Sequence, residues 1–169
     1  ASRSPRSGLT GPGGSGRAGS AAERALDRIH QQIDEKHEGA ARGLVPIYEA
    51  TENHEGVKNA YLIILEHQAP GSEERRQVQS NLMRLHEGPL GNVEEAFAWA
   101  SEIVREPPAS AVDAAEFERL AGKIDAWFSV VDMYRALIDL DETSPELKTE
   151  LRMRLGRVLT DEIENMEEA

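Results

Sequence analysis

The chain contains no cysteine, which removes thiol nucleophiles, disulfides and cysteine-ligated zinc together. It also lacks a long apolar run. The densest stretch, Ala60-Tyr61-Leu62-Ile63-Ile64-Leu65, ends at Glu66 and falls far short of the roughly 18 apolar residues that span a bilayer. The N-terminus carries arginines without an apolar segment, so it does not read as a secretory signal. The cytoplasm is the default compartment for such a chain; export by a route without a cleaved signal stays open. The first residue is Ala1 rather than Met, which leaves a removed upstream segment open as well. Period-two alternation is missing, and so are the Asn-Gly and Asp-Gly dipeptides of tight hairpins. No repeat register returns the same residues.

Basic residues are scarce relative to acids. The net charge is −12, from 19 Lys and Arg against 31 Asp and Glu. It is spread unevenly. Residues 1–20 hold Arg3, Arg6 and Arg17 and no acid, so the remainder carries 16 basic and 31 acidic side chains, a net of −15. A body this negative repels phosphate backbones and anionic membranes. The expected partner is therefore neither nucleic acid nor membrane but a protein; the charge favours a basic partner or simply high solubility.

Residues 1–20 contain six glycines, five serines and two prolines, with Leu9 the one large apolar side chain. Such a segment buries too little surface to offset its ordering entropy. It is expected to be a flexible leader or linker, with residues 21–169 forming one acidic helical domain. A short cationic docking arm is the functional alternative.

After Ser20 the apolar spacing becomes helical. Ala22, Leu26, Ile29 and Ile33 mark a first helix that Gly39 and Gly43 weaken or end. A second covers about 46–68, with Pro46 in its first turn or, alternatively, with a start after Asn53 and residues 44–52 as a separate turn. Ala69-Pro70-Gly71 stops it. Ser72, Glu73 and Glu74 open a third helix on Val78, Leu82 and Leu85. Asn92 with Glu95 has the capping-box spacing for a fourth, which Pro107-Pro108 ends. Asp113 with Glu116 predicts a fifth helix, the longest, over about 114–140. Ser144-Pro145 opens a last helix to about Glu164, with an acidic end that should fray. The expected fold is an all-α antiparallel bundle of five or six helices.

Catalytic constellations are hard to find. No serine or threonine sits in a nucleophile motif, and the glycine-rich leader lacks the strand and lysine of a phosphate loop. No carboxylate pair is marked as acid and base. His30, Asp34 and His37 can converge on one flank of the first helix, a His/carboxylate line that in a bundle could hold a transition metal. The plainer reading makes these histidines wet residues at the core edge. His37-Glu38 and His86-Glu87 are weak phosphotransfer candidates without a clear cation to hold the phosphoryl group.

The segment 114–140 is the most informative. One stripe, Phe117, Leu120, Ala121, Ile124, Phe128, Val131 and Ile138, suffices for a buried face. A second, Val130, Met133, Leu137 and Leu140, sits well round from it, with Trp127 and Tyr134 between. A helix apolar over most of its circumference is enclosed by neighbours or binds something. The sequence therefore points to a non-catalytic protein-binding module, an adaptor, chaperone or regulator. Its expected contact residues are Trp127, Val130, Met133, Tyr134, Leu137 and Leu140, and it needs no cofactor. Self-association through this face is compatible with the same pattern. The rival reading is a metal- or cofactor-binding bundle using His30, Asp34 and His37.

Overall fold

In a computed structural model the described residues, 37–163, form seven α-helices with no strand among them. These are α1 (37–50), α2 (His54–Glu66), α3 (Glu73–Glu87), α4 (Val93–Arg105), α5 (Ala111–Ile124), α6 (Trp127–Asp139) and α7 (Pro145–Val158). A π-helical turn, Leu159–Ile163, follows α7. The expected leader over 1–20 and the first part of the expected first helix lie outside the described residues.

Side-chain caps fix most helix starts by satisfying amide N–H groups that have no partner in the helix. Asn53 accepts from Gly56 at 2.9 Å, Ser72 from Arg75 at 3.2 Å, and Ser144 from Leu147 at 3.2 Å. The alternative start of α2 after Asn53 is therefore the one adopted. The residues ahead of it are not a loose turn: α1 runs through Gly39, Gly43 and Pro46 to residue 50. The chain then reverses through Glu52 at φ 53°. At Asn92 the box is one-way. Its side chain accepts from Glu95 at 3.1 Å, while its own N–H is already bonded to the His86 carbonyl at 2.7 Å.

Two departures from expectation matter most. The box at the start of α5 is Ser110 with Asp113, not Asp113 with Glu116. Asp113 accepts the Ser110 N–H at 3.0 Å, and Ser110 accepts the Asp113 N–H at 3.2 Å. More importantly, the helix expected over 114–140 is two helices. Asp125 adopts the left-handed conformation at φ 54°, and the N–H groups of Asp125 and Ala126 both reach the Ala121 carbonyl. Aspartate tolerates this region better than most residues, so the break needs neither proline nor glycine at the corner. Gly122 completes it, because a Cβ there would stand 3.1 Å from the Trp127 ring.

The break redirects side chains. Phe128, expected on the buried stripe with Phe117, is 58% exposed. Val131 is buried as expected, and Val130, Tyr134 and Leu137 turn inward beside it. They join Phe117, Leu120, Leu151 and Val158 in the larger of two core clusters, built by α4 to α7 with Met83 of α3 and Ile163 of the π-helical turn. Phe117 stacks on Phe97 with centroids 4.8 Å apart and meets the Tyr134 ring at 6.5 Å. The smaller cluster joins α1, α2 and α3 through Ala41, Ala60, Ile64, Leu65, Val78 and Leu82. Trp99 of α4 packs against both clusters and ties them together.

Candidate functional site

The break at Asp125 sorts the six expected contact residues. Val130, Tyr134 and Leu137 lie in the core, and Trp127 and Met133 are half-buried against it. Leu140, the C-cap residue of α6, is 43% exposed. Only Leu140 of the six is thus largely open to solvent. Tyr134 has a structural use for its polar end. Its hydroxyl donates to Glu118 at 2.7 Å and also stands 3.1 Å from the Ala114 carbonyl. Arg154 and Arg157 hold the same carboxylate at 3.2 and 2.9 Å. Burial, reinforced by Glu118, pushes the phenol pKa up, so Tyr134 stays protonated as a donor.

Leu140 stands at a cleft of about 200 Å³ whose walls come from distant parts of the chain. One wall is the α4–α5 link, Arg105 and Pro107 to Ala109, with a cis Pro107–Pro108 bond. The other is formed by Leu137 and Leu140 of α6 and by Glu142, Thr143, Ser144 and Leu147 leading into α7. The lining is mostly apolar, which suits a hydrophobic side chain better than a charged substrate.

The link wall is fastened from α3. Arg76 donates to the carbonyls of Glu106 at 2.8 Å and Pro108 at 2.6 Å, and to the Asp113 carboxylate at 3.0 Å. The Glu106 carboxylate accepts from Arg75 at 3.0 Å, from the buried Gln79 at 2.8 Å, and from the Gly71 N–H. Burial pushes the Glu106 pKa up, but these donors outweigh it and hold it below the usual carboxylate range. A fastened wall keeps the cleft preformed, which lowers the ordering cost of binding.

The acids near Leu140 are placed differently. Asp139, Asp141 and Glu142 are exposed, and no ion pair or hydrogen bond joins their carboxylates to a described residue. Arg105, on the opposite rim, is already matched by Glu102 at 2.6 Å.

A second, more open groove of about 430 Å³ lies between α2 and α3 and includes Glu49, His54, Tyr61, Asn81 and Arg84. Its polar groups largely satisfy one another. Asn81 Oδ1 accepts from Gln77 at 3.1 Å and from Arg84 at 2.9 Å. Burial and the neighbouring Glu49 carboxylate raise the Tyr61 pKa, so the phenol is no nucleophile at neutral pH.

The histidine candidates separate. His30 and Asp34 lie outside the described residues, and His37 is exposed on α1. Among the described residues no three His, Asp or Glu side chains converge to hold a metal ion. His86 is 8% exposed and its Nδ1 has no hydrogen-bond partner. Burial lowers its pKa, and an enclosed imidazole cannot meet an incoming phosphoryl donor.

Leu137 and Leu140, singled out in the sequence, line this cleft, but the opposing wall was not singled out, since Pro107-Pro108 reads only as a helix stop. No helix among the described residues is long and apolar enough to cross a membrane. No protein-family model matches the chain, and no curated protein matches its sequence.

Proposed function

We propose that the protein is a non-catalytic protein-binding module, an adaptor, chaperone or regulator, that seats an apolar side chain of its partner in the cleft beside Leu140. One observation carries this reading: an exposed leucine stands at a preformed, mainly apolar cleft. Apolar anchors in preformed pockets supply most of the energy in protein interfaces.

Photo-crosslinking in the source cells tests it. A crosslinking side chain at position 140 should give one dominant protein adduct. The same group at Met153, which is 63% exposed on α7, should not give it. Adducts between two copies of this chain would identify the partner as a second copy. Equal adducts from both positions, or none from position 140, would refute the assignment of the cleft.

A further inference from the structure

Resting on that reading, we infer that the cleft selects a basic polypeptide segment carrying an apolar anchor. The cleft itself explains the anchor. The charge preference follows from Asp139, Asp141 and Glu142 beside it, which pair with no described cation.

Asp139 sits in the last turn of α6, whose last turn holds no basic residue. Asp141 and Glu142 follow at once. The C-terminal end of a helix carries partial negative charge, so acids there are unfavourable. Their charge is not neutralised locally, because no described cation pairs with them. Glu146 differs: it occupies the first turn of α7, where the dipole favours it. Lys148 is the one base within 139–148. Leu140 therefore lies at the helix terminus between Asp139 and Asp141 in sequence, with Glu142 in the cleft wall and Arg105, the one base of the lining, already paired with Glu102. Lysine or arginine beside the anchor would relieve this repulsion, whereas an acidic or phosphorylated segment would add to it.

Three blocked peptides and the isotope-labelled full chain provide the test. The first peptide carries one leucine between two pairs of lysines. The second replaces its lysines with glutamines, and the third replaces its leucine with serine. The lysine–leucine peptide should shift the backbone amides of Arg105, Glu106 and Ala109 and those of 137–144, 146 and 147. The glutamine peptide should bind there at least about fivefold more weakly at about 0.15 M salt, and the gap should close near 1 M as charges are screened. Asp141→Asn with Glu142→Gln should cause the same loss, and since both residues are exposed the fold should stay intact.

Equal binding of the glutamine peptide would overturn the charge preference and leave the apolar-anchor reading standing. Equal binding of the serine peptide would overturn the anchor, and the proposal with it. No shift in the cleft from any peptide would overturn both.

Discussion

Leu137 and Leu140 lie less than one helical turn apart, yet a glutamate at each should have opposite consequences. Leu137 is 3% exposed and packed in the larger core. Losing its side-chain contacts costs about 2–5 kcal/mol, and burying a carboxylate there adds several more. Together these approach the roughly 5–15 kcal/mol that holds a domain folded. Leu140 is 43% exposed at the helix end. There Leu140→Glu loses about 1 kcal/mol of apolar burial and adds an unfavourable charge of about 0.3–1 kcal/mol at the helix terminus. Thermal melts followed by circular dichroism separate the two. Leu137→Glu should show no cooperative transition, whereas Leu140→Glu should melt cooperatively about 5–10 °C below the parent. A cooperative, near-parental melt for Leu137→Glu would refute the enclosure of the α6 face. Unfolding of Leu140→Glu would show that this leucine is a core residue.

Three further outcomes check the packing and the ion pairs. Phe128→Ala should cost under about 1 kcal/mol in chemical denaturation, against roughly 3–5 kcal/mol for Phe117→Ala; equal costs would mean that the α5–α6 corner is wrong. Gly122→Ala puts a Cβ 3.1 Å from the Trp127 ring, so the indole should shift and tryptophan emission should change; an unchanged spectrum would contradict the close approach. Arg119 and then Lys123 donate to Glu87 and hold its pKa at about 2. That carboxylate's folded-state pKa is depressed, so its stabilisation is present at neutral pH and lost as pH falls from about 4.5 towards 2. Both cations are more than a third exposed, so the screened contribution is about 1 kcal/mol. Glu87→Gln should flatten the fall in unfolding free energy across that range, and an unchanged slope would show that the pair is uncoupled from folding.

How much the sequence disclosed depended on whether the deciding interaction was local. Ser72, Asn92 and Ser144 act within three residues of themselves, and their caps were legible. So were the stops at Pro70-Gly71 and Pro107-Pro108, where the backbone chemistry is intrinsic. The corner at Asp125 was not, because no proline or glycine occupies it. It depends on aspartate accepting a left-handed conformation while Trp127 closes over Gly122. Missing that corner placed Phe128 inside and overestimated the open face of α6. Pro46 misled in the opposite sense, reading as a helix start while lying inside α1. Half of the cleft was visible as Leu137 and Leu140 on an apolar stripe. The other half is set by Arg76 reaching the carbonyls of Glu106 and Pro108 across about thirty residues of chain, a contact with no local signature.

Hydrogen–deuterium exchange locates the partner's contact, comparing the full chain alone with its complex with the protein captured by crosslinking at position 140. A partner seated in the cleft beside Leu140 should slow exchange at Arg105, Glu106 and Ala109 and over 137–144, with α1 and α2 unchanged. Protection centred instead on the exposed Leu44, Ile47, Leu62 and Ile63 of α1 and α2, with the cleft unaffected, would contradict it.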